Sequence, residues 1–198
     1  MVKIKNEPDR DGERSVCAAV NPCQQRSRRM TVTIAIGETL PDGVLTEMIA
    51  TETPGCAIGP NTFDVPELAR NKRLIVFGVP GAFTPTCSAK HLPGYVANCD
   101  KFKAKRVDEI WCVAVNDAFV MDAWGKEQEC AGRVRMMADG SATYTKALGL
   151  DMDLSARGMG IRSRRYSMFV ENGVVRILNV EQPGKFEVSD AETMLRGL

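Results

Sequence analysis

No stretch of this 198-residue chain stays apolar over the length of a membrane span, and no apolar core of a secretory leader follows Met1. A soluble, intracellular protein of the cytoplasm is expected, with no membrane partner. Charge of one sign is missing too. The 26 Lys and Arg against 25 Asp and Glu leave a formal net charge of +1, with no concentrated basic face for nucleic acid or an acidic lipid surface. Histidine occurs once, as His91. The seven cysteines, Cys17, Cys23, Cys56, Cys87, Cys99, Cys112 and Cys130, include no C-x-x-C pair and no zinc-ligand spacing. Such an odd set does not make a structural disulfide framework. In a reducing compartment most are expected to be free thiols filling small core spaces, Cys56, Cys99 and Cys130 among them.

What the chain does have is a 44% share of hydrophobic residues, enough for one buried core and short for two domains. Residues 1–29 differ from the rest. Asn6 to Arg14 and Gln24 to Arg29 are polar and charged, with little periodic hydrophobicity, so a disordered N-terminal extension is expected there. Arg26-Ser27-Arg28-Arg29 suggests a targeting arm, but the acidic residues upstream argue against a transit peptide. The domain is placed at residues 30–198.

From Met30 onward strands alternate with helical stretches, the pattern of an α/β layered sheet. Strands are predicted at Leu74–Gly78, Ile110–Val115 and Val134–Met137. Helices are predicted from Cys87 to about Lys103 with a bend near Pro93, over Ala118–Gln128, and over Ala142–Leu148 with Gly149 as the stop. Arg165–Val170 and Val174–Leu178 flank Glu171-Asn172-Gly173, a hairpin signal. Ser189-Asp190-Ala191-Glu192 reads as a capping box for the last helix. Leu40-Pro41-Asp42-Gly43 and Thr53-Pro54-Gly55 mark loops.

Cys87 is the candidate nucleophile. The β-branched run Leu74-Ile75-Val76 reads as a buried strand, Pro80 and Gly81 stop it, and Thr84-Pro85 starts a helix that carries Cys87 in its first turn. Unpaired backbone N–H groups and the positive end of the helix dipole favour thiolate over thiol at such a place. The competing reading is a small buried cysteine at a helix start.

Pro80, Thr84 and Cys87 stand in the spacing P-x-x-x-T-x-x-C, which resembles the active-site signature of peroxiredoxins, thiol peroxidases on a thioredoxin-like scaffold. The longer string FGVPGAFTPTCSAKHLPGY is similar to the type II, peroxiredoxin-five-like branch. The resemblance continues through Val115 to Met121, Trp124-Gly125 and Gly160 to Ser167, and covers about residues 31–198. Met30 stands where it begins, so a start assigned too early is an alternative to a true extension. The resemblance implies a thioredoxin-like fold, with a central mixed β-sheet flanked by α-helices and an N-terminal β segment. It implies attack of Cys87 on hydrogen peroxide or alkyl hydroperoxides, through a sulfenic acid and with no metal or organic cofactor. Thr84-Pro85-Thr86-Cys87 occupies the place of a C-x-x-C, so exchange between adjacent thiols is impossible.

Of Arg157, Arg162, Arg164 and Arg165, the one immediately before Tyr166 matches the family arginine. Arg165, the Thr84 hydroxyl and the Cys87 N–H are therefore the expected donors to sulfur and peroxide. His91 is read as a packing or capping residue rather than a catalytic base. Some relatives resolve the sulfenic acid with a cysteine before the last helix, where this chain has Phe186-Glu187-Val188-Ser189. Cys112 matches the second cysteine of plant-type members but falls in a strand read as buried. Glutathione with glutaredoxin is the favoured reductant, with Cys112 as an intramolecular resolving thiol and thioredoxin as alternatives. The resemblance also implies a homodimer through loops around the site, with Phe83 and Phe119 as contact positions. A redox sensor or relay that passes oxidation to a partner is the alternative function, and a thioredoxin-fold binding or chaperone module without chemistry is weaker still.

Overall fold

The computed structural model describes residues 32–50, 55 and 57–198. Cys17, Cys23, Cys56, the extension over 1–29 and the boundary at Met30 lie outside the described residues.

The run Arg73–Val79 forms strand β3 in the interior of the sheet, because its β-branched and aromatic residues are buried on both faces. β4 (Glu109–Ala114) lies parallel to it with Cys112 opposite Phe77, and β5 (Arg135–Ala138) lies parallel to β4 with Met136 opposite Cys112. On the other side of β3 runs β8 (Tyr166–Glu171), antiparallel, followed by β9 (Val174–Val180). Asn172 and Gly173 both take positive φ in the turn between them, the conformation a tight two-residue hairpin needs. The hairpin of β1 (Val44–Ile49) and β2 (Gly59–Asp64) completes a seven-stranded mixed sheet of order β2-β1-β5-β4-β3-β8-β9. A small ribbon of β6 (Asp151–Asp153) and β7 (Ile161–Ser163), which no sequence signal marked, leads into β8.

Helices cover both faces. α2 (Leu92–Ala97), α3 (Cys99–Ala104), α4 (Ala118–Glu127) and α6 (Ala191–Gly197) pack on the face that carries Phe77, Cys87 and Cys112. α1 (Val65–Ala69) and α5 (Thr143–Ala147) pack on the face of Leu74, Trp111 and Tyr166. The side-chain period of two along β3 and β4 separates these cores and puts Cys112 on the same side as Cys87. Gly78 is required by this arrangement: a Cβ there would lie 2.1 Å from the fully buried Tyr166 ring across the ladder.

Two element ends differ from the sequence expectation. The predicted bend at Pro93 is a π-helical turn over Cys87–His91, with Leu92 N–H bonded to Cys87 O, and the helix breaks only at Asn98. Pro93 has no N–H to bond Ala89 and its ring would crowd that carbonyl, which a wider preceding turn relieves. The last helix is capped by Asp190, whose carboxylate accepts from Glu192 and Thr193 N–H, rather than by Ser189. The Ser189 hydroxyl is engaged elsewhere, donating to Glu181 at 2.8 Å.

Candidate active site

Past Val79 the chain turns at Pro80 and Gly81, held by Ala82 N–H on Asn116 Oδ1 at 3.0 Å. Gly81 sits where a Cβ would come 3.2 Å from Arg162 Nη1 and 3.4 Å from Thr84 Cγ2, so the turn is closely packed. Helical geometry begins at Pro85, which needs no N–H in a first turn, and Thr84 O accepts from Ser88 N–H at 3.0 Å. Cys87 thus lies in the first turn, where its own N–H has no intrahelical carbonyl to bond. Its side chain is fully buried. Beside it, Trp124 Nε1 donates to Ser88 Oγ at 3.0 Å and ties the turn to α4.

The second element of the site is the residue before β8. Arg165 Nη2 donates to Cys87 Sγ at 3.4 Å, and Nη1 lies 3.0 Å from His91 Nδ1. Its guanidinium carbon sits 5.5 Å over the Phe186 ring. The neighbouring arginines go elsewhere. Arg162 donates to Met159 O and Val115 O at 2.8 and 3.1 Å, Arg164 to Glu181 O at 3.3 Å, and Arg157 is exposed on a short 3₁₀ turn. Charge alone could not have separated these four residues.

Thr84 departs from its expected role. Its hydroxyl donates to Gly81 O at 2.9 Å, so the proton closes the turn and the oxygen's lone pairs are what remain for a ligand. In this arrangement the side that faces Cys87 offers an acceptor rather than a donor. Thr84→Val keeps the shape, removes that acceptor and leaves the Gly81 carbonyl without its partner. A stability loss of about 1 kcal/mol and a several-fold slower oxidation of Cys87 are expected from melting curves and stopped-flow peroxide kinetics.

Cys112 is fully buried between its ladder neighbours Phe77 and Met136. Burial first, and then the electrostatic influence of Cys87 and Cys130, push its thiol well above the ordinary range, with Arg165 acting the other way. Cys99 and Cys130 are free and buried in the same core, and burial pushes Cys130 up to about 11. His91, read from the sequence as a packing residue, touches Arg165 directly. That contact escaped sequence reasoning because it joins residues 74 positions apart.

A charge-bearing donor on a thiol in a strand-turn-helix is the layout of a thiol peroxidase. In enzymes of that class a thiolate sulfur attacks one peroxide oxygen, the O–O bond breaks, and the leaving oxygen takes a proton and departs as water or alcohol while the sulfur becomes a sulfenic acid. Comparison with known proteins agrees with this. The Redoxin family matches residues 35–195. Peroxiredoxin-2C of Oryza sativa subsp. japonica is 46% identical over 168 residues, 83% of this chain and 98% of that protein. The crystal structure of reduced Prx3 from Vibrio vulnificus in complex with hydrogen peroxide superposes with a TM-score of 0.77 at 51% identity, covering 83% of this chain and 99% of that one. Peroxiredoxin 5 from Alvinella pompejana superposes with a TM-score of 0.70 at 33% identity, over 82% and 96% of the two chains. The chain belongs to the peroxiredoxin family, and within it to the type II, peroxiredoxin-five-like branch. It is a thiol-dependent peroxidase.

Proposed function

We propose that this peroxidase reduces hydrogen peroxide and alkyl hydroperoxides by a one-cysteine cycle, with glutathione and glutaredoxin as the reductant, in cell redox homeostasis and defence against oxidative stress. The observation that carries this reading is the burial of Cys112 inside the sheet. A resolving thiol must ionise and bring its sulfur within disulfide geometry of the sulfenic acid. Cys112 is poorly placed for the first need, since burial pushes its thiol well above the ordinary range and closes it to solvent. The loop over Phe186 to Ser189 holds no cysteine, and none follows Cys130. The sulfenic acid therefore waits for an external thiol. Glutathione attacks the oxidised sulfur and releases water. A glutaredoxin thiolate then takes the glutathionyl group, and Cys87 returns to the thiolate.

Phe83, in the turn before Cys87, and Phe119, at the start of α4, are 49% and 64% exposed. Exposed aromatics of this kind support a homodimer assembled through these loops. The free buried thiols fit a reducing compartment, for which the cytoplasm is proposed.

One equivalent of peroxide with glutathione should add a single glutathione to Cys87 in intact-mass analysis, and Cys112→Ser should retain turnover with glutathione and glutaredoxin. A Cys87–Cys112 linkage in the peptide map, with turnover lost in Cys112→Ser, would replace this reading with a two-cysteine cycle.

A further inference from the structure

Arg165 holds the Cys87 sulfur by one contact at 3.4 Å, and a long arginine side chain carries rotamer entropy that such a contact alone does not fix. What keeps the fork aimed is on its other arm. His91 is fully buried, with Nδ1 3.0 Å from Arg165 Nη1 and Nε2 3.0 Å from the Ser189 carbonyl. A carbonyl can only accept, so Nε2 carries the proton. A guanidinium can only donate, so Nδ1 must offer its lone pair. Both partners demand the same tautomer.

The Ser189 carbonyl is itself fixed. Glu181 Oε1 accepts the N–H groups of Glu187, Val188 and Ser189 at 2.8, 2.8 and 2.9 Å, and the Ser189 hydroxyl at 2.8 Å. Burial works against that carboxylate's charge, but these donors outweigh it and hold its pKa below the usual range. Tyr95 OH donates to the same Ser189 carbonyl at 2.9 Å. Glu181 N–H in turn donates to Arg165 O at 2.9 Å, so the chain of hydrogen bonds closes on the arginine's own backbone. Phe186, from the same loop, packs against both members, its ring tilted against the His91 ring with centroids 5.0 Å apart and centred 5.5 Å from the guanidinium carbon.

We infer that His91, as the neutral Nε2–H tautomer set by the Ser189 carbonyl, is a positioning residue that aims Arg165 at the Cys87 sulfur during peroxide attack. It neither takes nor gives the proton of the reaction. Burial first, then the charge of Arg165, hold its pKa down to about 3, against the opposing pull of the Ser189 carbonyl, Glu181 and Asp190. The imidazole is thus neutral throughout the working range.

The discriminating variants are His91→Asn and His91→Gln, which fold-check by thermal melting. Asparagine places an acceptor near the position of Nδ1, whereas glutamine reaches toward Nε2 and leaves Arg165 without its acceptor. Stopped-flow oxidation of Cys87 by peroxide should fall about tenfold or more in His91→Gln and less than about threefold in His91→Asn, with glutathione capture of the sulfenic acid changed less in both. Equal losses in the two variants, losses that follow the melting temperature, or a His91→Gln rate within about twofold of wild type would overturn the inference. A measurement on the unaltered protein stands beside them, because His91 is the only histidine and its ring nitrogens need no separate assignment. Nitrogen-15 NMR should show the neutral Nε2–H form at pH 6 and still at pH 5. A proton on Nδ1, or an imidazolium at pH 5, would overturn the tautomer and the role together.

Discussion

Cys87→Ser should lower peroxide turnover by about a thousandfold or more, equivalent to roughly 4 kcal/mol of transition-state stabilisation. A serine hydroxyl stays protonated where the thiolate is the nucleophile, and the Arg165 guanidinium then faces a neutral oxygen. Cys99→Ser and Cys130→Ser should keep most of the activity. Their sulfurs sit in the core, 3.6 and 3.8 Å from the carbonyl oxygens of Arg133 and Gln128, away from the arginine. Turnover of hydrogen peroxide by the three variants, each checked for folding, is the measurement. Near wild-type turnover in Cys87→Ser would mean that the reacting sulfur is another one.

Arg165→Ala should slow oxidation of Cys87 by at least about tenfold, since 1.4 kcal/mol lost in the transition state has that effect. Two things go at once: the positive charge on the sulfur and the donors for the peroxide oxygens. Arg164→Ala should do far less, because its guanidinium ends on the Glu181 carbonyl. Arg165→Lys is expected to recover only part of the loss, as an ammonium keeps the charge but not a fork that reaches both Cys87 and His91. Stopped-flow peroxide kinetics on the three variants would decide it. Equal losses in Arg164→Ala and Arg165→Ala would mean that net positive charge near the site, and not one placed guanidinium, drives the step.

The alternation of strands and helices, the hairpin at Asn172-Gly173, and the placement of Cys87 just inside a helix that starts at Pro85 were all legible in the chain. Each of these is local: a run of β-branched residues, a pair of residues that accept positive φ, a proline where no N–H is needed. The family string then singled out Arg165 from three other arginines. It could do so only by resemblance, because composition treats those arginines alike.

Where polar groups compete for a partner, the outcome was set by packing in three dimensions. Ser189 left the helix-capping role to Asp190 because Glu181, from the end of β9, collects its hydroxyl and three backbone N–H groups. Thr84 gave its proton to Gly81 rather than to the site. His91 met Arg165 across the packed face of the sheet. Hydrogen bonds between residues 74 or 98 positions apart leave no periodic trace in the chain, since they depend on which strands neighbour which and not on any residue's own preference.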